Sequence, residues 1–177
     1  MKKSAQTAIP CLMMRGGTSK GPFFNEADLP SDIATRDRVL LAAMGSPDKR
    51  QIDGLGGAHP LTSKVGIVRR SKVSGVDLDF LFAQLQPAND TVDTTPNCGN
   101  MLAAVVPFAI ETGMVDVQGD QSTFRVLTLN TDMQCDITVD TRGGMVQYEG
   151  TARIDGSPGT SAPVTINFLD TAGSVCS

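Results

Sequence analysis

The stretch DTTPNCGNMLAAVVPFAIE, residues 93–111, decides the fold. From Met101 to Ile110 it carries no charged or hydrogen-bonding side chain. A helix written from such a run is apolar on every side and belongs in the middle of a core. The run is too short to span a bilayer. Asn97 is a suitable N-cap, which makes Cys98, Gly99 and Asn100 the first turn. Gly113 is the natural stop. Pro107 lacks the N–H that would bond to Ala103, so a kink or a broken turn is predicted there.

The surrounding chain must supply cover for that helix. Ile9–Met14 reads as a first strand, followed by a polar glycine-rich loop, Arg15–Gly21, and a second apolar run at Pro22–Phe24. Ser31 is a candidate N-cap for a helix with Ile33, Leu40, Leu41 and Met44 on one face, stopped by Gly45 and Pro47. Residues 51–64, QIDGLGGAHPLTSK, form a second glycine-rich stretch with the only histidine. Val65–Val68 is a strand. In Val76–Phe82 the apolar residues alternate with Asp77 and Asp79, which point the other way. Beyond Gly113 the pattern is all strands: Phe124 and Val126; Cys135, Ile137 and Val139; a turn at Arg142–Gly144 into Met145–Glu149; and Val164, Ile166 and Phe168. Each strand has one apolar face, and the central helix needs cover on all sides. The fold class is therefore α+β: a curved mixed or antiparallel sheet, or barrel, wrapped around a central buried helix, with a second helix outside.

Composition narrows the function. A hydrophobic content of 40% across 177 residues suits one globular domain. The net charge is −4, and the densest basic run, Arg69–Lys72, is followed by Asp77 and Asp79. Nucleic acid is excluded as a partner, because that needs a clustered basic face with interleaved aromatics. The N-terminus has no apolar signal-peptide core, and no run spans a membrane. Cysteines 11, 98, 135 and 176 show no metal spacing, so no metal is expected. Together these features predict reduced thiols in a cytoplasmic protein.

At the start of the buried helix, free N–H groups form an anion site, and a carboxylate fits the N–H groups of Gly99 and Asn100. The same field favours the thiolate form of a cysteine placed there. Such a thiol beside a carboxylate site suits proton transfer at carbon. The plainer reading of Cys98 is a small hydrophobe packed at a helix end. Cys11 and Cys135 sit in strand patterns and read as core; Cys176 reads as incidental. Arg15–Gly21 offers Thr18 and Ser19 but lacks the spacing of a phosphate loop. Lys64 could hold a carboxylate or act as a base. His59 has no partner at metal spacing.

Three stretches, IPCLMMRGGTSKG, GSPDKRQIDGLGGAHPLTSKVGIV and VDTTPNCGNML, occur in order, with YEGTARIDGSPGTSAPV after them. They resemble the family of 2-methylaconitate isomerases, methylitaconate delta-isomerases and 4-oxalomesaconate tautomerases, which has the fold of diaminopimelate epimerase. The resemblance implies an isomerase that shifts a double bond in a small unsaturated di- or tricarboxylate. It removes a proton from an allylic carbon and returns one elsewhere, without metal or organic cofactor. It places catalysis on Cys98 and Lys64. It places substrate contacts on Gly17, Thr18, Ser19, Ser63, Asn97, Gly99 and Asn100. It also implies two domains with the site in the cleft between them. Residues 1–177 would then be a single domain, the N-terminal half, with little activity alone. Two other readings compete: a catalytically inactive carboxylate-binding domain, and a homodimer that rebuilds a cleft.

Overall fold

One mixed sheet holds all the strands, and the way the chain joins them puts a helix on each face. The computed structural model describes residues 6–169. In chain order the strands are β1 (Leu12–Gly16), β2 (Ser19–Asn25), β3 (Lys64–Arg70), β4 (Leu78–Leu85), β5 (Val92–Asp93), β6 (Gln121–Thr128), β7 (Met133–Asp140) and β8 (Val164–Phe168). The order across the sheet is β1-β2-β3-β4-β6-β7-β8, with β5 paired to β4. Strands β2 and β3 are parallel, as are β4 and β6; the other neighbours are antiparallel.

Parallel neighbours need a crossover, commonly helical. The first crossover carries α1 (Ile33–Met44) and the second carries α2 (Gly99–Leu102) and α3 (Val105–Glu111). Because β3 and β4 are antiparallel, the two parallel pairs run in opposite directions. Right-handed crossovers on oppositely directed pairs fall on opposite faces of the sheet. The packing agrees. Leu40 and Met44 of α1 join Phe24, Val65, Ile67, Ala83 and Leu85 in an outer core. Met101, Leu102, Val105 and Phe108 join Phe23, Val68, Phe80, Phe82 and Ile137 in an inner one. Phe23 lies between Phe80, stacked at 6.2 Å, and Phe108, tilted at 5.7 Å. The central helix and the outer helix are where the sequence pattern puts them.

Several local expectations are corrected. The first strand begins at Leu12, and the Arg15–Gly21 stretch is a hairpin rather than a loop, with Gly16 paired to Ser19. Gly17 turns it at a φ of 54°, in the left-handed region. Asp32, not Ser31, caps α1 by accepting from the Thr35 N–H at 2.8 Å, and Ile33 is exposed. Cys98, not Asn97, holds the cap position of α2; the Asn97 side chain instead accepts the Cys98 N–H at 2.9 Å. The central helix breaks at Ala103–Ala104, one turn before Pro107. A proline ring excludes the carbonyl four residues back, so the disruption falls upstream. Ala104 N–H bonds instead to the Met101 carbonyl at 3.0 Å, a tighter turn. Pro107 then sits in the first turn of α3, where N–H groups have no intrahelical partner.

Asp79 points to the outer face as expected but is buried there, with Arg69 at 2.8 Å. Strand β4 is covered on both faces, which alternation alone does not reveal. Met145–Glu149 forms no strand. Cys176, like Met1–Ala5 of the N-terminal segment, lies outside the described residues. Among the described residues no helix is long and apolar enough to cross a membrane.

Candidate active site

Strand β3 alternates: Val65 and Ile67 face the outer core, while Lys64, Gly66 and Val68 share the inner face. Lys64 is therefore delivered to the end of the sheet's interior where the central helix begins. It is 8% exposed. Its Nζ donates to Cys98 Sγ at 3.4 Å and lies 5.0 Å from the centre of the Phe82 ring. Among the described residues no carboxylate forms a salt bridge with it. A buried cation without a carboxylate, held over an aromatic face and against a thiol, is an uncommon arrangement outside functional sites.

Cys98 is half-buried and packs at the margin of the inner core. The first intrahelical bond of α2 runs from the Leu102 N–H to the Cys98 carbonyl at 2.9 Å. The N–H groups of Gly99, Asn100 and Met101 precede that ladder, as at any helix start. The β1–β2 hairpin packs beside them, on Asn100. The Cβ direction of Gly16 is filled by the Asn100 carbonyl, and that of Gly17 by the Asn100 side chain. Any larger residue at Gly16 would drive the hairpin off the helix. Asn100 Nδ2 donates to Thr18 Oγ1 at 2.9 Å. Ser157 Oγ donates to the Gly17 carbonyl at 2.9 Å, tying the 148–164 segment to the hairpin. Ser19 is buried on the inner face, and its hydroxyl has no partner among the described residues.

The structure thus gathers Cys98, Lys64, Gly99, Asn100, Gly17, Thr18 and Ser19 around one helix start. Ser63 is fully buried, its hydroxyl directed at Gln51 Oε1 and the His59 carbonyl, both at 2.8 Å. Asn97 bridges from the Cys98 N–H to Thr131, donating from Nδ2 at 3.3 Å. His59 is exposed and caps a 3-10 turn, its Nδ1 accepting the Leu61 N–H at 3.1 Å. Among the described residues no three His, Cys, Asp or Glu side chains converge as a metal-ligand set. Burial and the nearby Asp136 push the Cys135 thiol up to about 11.

A cavity of about 710 Å³ flanks the helix. It lies between β1 (Met13, Met14) and β8 (Val164, Ile166), which end the sheet without pairing to each other. Gly99 and Asn100 line it; Cys98 and Lys64 do not. Its walls are the unclosed side of the curled sheet, and the Lys64–Cys98 contact lies beside it, at the helix start.

The sequence motifs single out neither Phe82 nor Gln51, which the structure places against Lys64 and Ser63. Phe82 was legible: extending the alternation of Val65–Val68 back by one residue puts Lys64 on the same face as Gly66, opposite Phe82. Gln51 had no such signal, because it contributes through hydrogen bonds to residues 46, 58 and 63.

A central helix packed inside a curled mixed sheet, with a second helix on the outer face, is a domain of the diaminopimelate epimerase-like fold. A family model described as PrpF protein matches residues 6–177, and the chain belongs to that family. It is 55% identical over 169 residues to the (4E)-oxalomesaconate Delta-isomerase of Novosphingobium sp. (strain KA1), covering 96% of this chain and 47% of that enzyme. The crystal structure of a methylitaconate-delta-isomerase superposes with a TM-score of 0.89 at 44% identity, covering 92% of this chain and 42% of that one. A hydroxyproline epimerase from Agrobacterium vitis shares the fold alone, with a TM-score of 0.50 at 19% identity over 78% of this chain and 39% of that one. The chain spans about half the length of the curated relatives it matches.

Proposed function

We propose that the chain is one domain of a two-domain isomerase that shifts a double bond in a small unsaturated di- or tricarboxylate of the oxalomesaconate or methylaconitate type. The observation that carries this reading is the contact of Lys64 Nζ with Cys98 Sγ at 3.4 Å. Whether the shared proton sits on sulfur or on nitrogen, the pair contains one acid and one base. The base removes a proton from an allylic carbon of the substrate. The electron pair delocalises over the double bond and the adjacent carboxylate as a dienolate. The acid then delivers a proton to the far carbon, and the double bond has moved with no net change in atoms. Each such proton transfer contributes about 10²–10⁴-fold to rate.

The N–H groups of Gly99 and Asn100, with Gly17, Thr18 and Ser19 on the hairpin and Asn97 beside the thiol, supply donors for a substrate carboxylate and for the charge that develops on it. Ser63 supports Lys64 from the preceding position. The reaction as written needs no metal or organic cofactor. The second wall of the cleft belongs to a further domain, in keeping with the length of the relatives.

The test is proton NMR of 4-oxalomesaconate or 2-methylaconitate in D₂O with the full-length protein. Isomerisation with deuterium gained at carbon, lost in both Cys98→Ala and Lys64→Ala, is the expected result. Near-normal exchange in either variant removes that residue's role. A second reading, a carboxylate-binding domain without catalysis, draws on the half-length match. For the 177-residue chain it predicts dicarboxylate binding with no exchange, whereas full-rate turnover by that chain, alone or as a homodimer, excludes it.

A further inference from the structure

Lys64 is the first residue of β3, where strand ladders fray unless tied. Its side chain is long and flexible, so the position of its ammonium depends on how firmly the backbone at its root is held. The residue before it is clamped from two sides. The Ser63 carbonyl accepts from the Leu85 N–H at 3.0 Å and from Gln84 Nε2 at 3.2 Å. The Ser63 hydroxyl shares its one proton between Gln51 Oε1 and the His59 carbonyl, each at 2.8 Å.

Gln51 is itself 1% exposed and holds a left-handed backbone at a φ of 49°, uncommon for a residue with a side chain. Such a conformation persists only where its surroundings over-determine it. Here the side chain does so. Oε1 accepts from the Ala58 N–H at 2.9 Å as well as from Ser63, and Nε2 donates to Ser46 Oγ at 3.2 Å. Ser46 Oγ donates in turn to the Gln86 carbonyl at 3.0 Å. A backbone N–H can only donate, so the Ala58 bond fixes which end of the amide faces Ser63. One side chain thus gathers the root, the middle and the exit of the glycine-rich 51–63 loop.

We propose that Gln51 is a positioning residue for Lys64: through Ser63 it fixes the start of β3 so that the ammonium stays on the Cys98 sulfur. The inference rests on the reading of Lys64 and Cys98 as the proton-transfer pair. Reacting groups misplaced by about 1 Å lose about 10²-fold in rate, which gives such a clamp its value.

The test is alkylation of the 177-residue chain with iodoacetamide at neutral pH, resolved by peptide mass spectrometry. Exposed Cys11 serves as the internal rate standard, and buried Cys135 reports loss of fold. A neighbouring ammonium raises the thiolate share of a cysteine, so Lys64→Met should slow Cys98 by about tenfold relative to Cys11. Gln51→Leu should slow it by about threefold, and Gln51→Glu, which keeps the accepting oxygen, should restore most of that loss. With Lys64→Met already present, Gln51→Leu should add nothing. If Gln51→Leu exposes Cys135, Ser63→Ala, which deletes the same bond more gently, takes its place with an expected effect of about twofold.

An unchanged Cys98 rate in folded Gln51→Leu, or in the Ser63→Ala that replaces it, overturns the positioning role. So does an equal slowing with and without Lys64, because the effect then bypasses the lysine. In both cases a slow Lys64→Met variant leaves the pair standing. If Lys64→Met itself leaves Cys98 unchanged, the pair falls and the positioning role with it.

Discussion

Apart from exposed Arg70 at its end, strand β3 carries one cation on each face of the sheet, and the two are treated in opposite ways. On the outer face Arg69 meets Asp79 at 2.8 Å and Glu26 at 3.0 Å. Hydrogen bonds to those carboxylates hold its guanidinium above the usual arginine range. On the inner face Lys64 is more deeply buried and meets a thiol and a ring. The outer cation answers a buried carboxylate, so its role is to keep the fold. The inner cation answers no carboxylate among the described residues. Its place beside a thiol is what the proposed proton transfer requires.

That contrast breaks first on turnover. In the full-length protein Lys64→Met and Cys98→Ala should each lower kcat by at least about 100-fold, while Arg69→Met stays near the parent rate. Equal losses at Lys64 and Arg69 in steady-state assays would erase the distinction. Stability should run the other way. Arg69→Met leaves the buried Asp79 carboxylate unpaired and should cost about 2–3 kcal/mol in urea unfolding, less than for a fully buried pair because Arg69 reaches solvent. Lys64→Met replaces an unpaired buried cation with an apolar chain and should leave the unfolding midpoint unchanged or higher.

The inner core sharpens the comparison through pH. Burial raises the Cys135 thiol from an ordinary 9.0 to about 11. The folded state therefore holds the proton after the unfolded chain has released it, and stability falls as pH rises from about 9 to about 11. Thermal midpoints across that window should fall less steeply in Cys135→Ala than in the parent. The smallest effect belongs to the outer helix. Asp32→Ala removes the α1 cap and should cost about 1 kcal/mol by chemical denaturation, with no change in Cys98 alkylation.

How much of this was legible in the sequence follows from what each pattern encodes. The buried helix was legible because Met101–Ile110 has no polar side to turn outward, and strands β6 and β7 because their apolar residues alternate cleanly. Alternation says which residues share a face but not whether the other face is covered, so it turns Asp79 away from Phe80 and Phe82 without revealing that Asp79 is buried. Arg15–Gly21 read as a loop because glycines punctuate it; in fact they let a hairpin press against the Asn100 backbone. The approach of Lys64 to Cys98, 34 residues apart, depends on strand register and crossover hand. No local spacing announces it, and only the resemblance paired the two residues.

The alternation along β3 also ties assembly to reactivity. Lys64 faces the thiol, and Val65, its next neighbour, lies in the apolar core beneath α1. If β3 paired one residue out of step, every side chain on it would change faces. The ammonium would enter the outer apolar core, where no partner waits for it, and a valine would lie against Cys98. Such a chain is penalised as a fold, so the pairing of β3 with its neighbours also proofreads where Lys64 is placed.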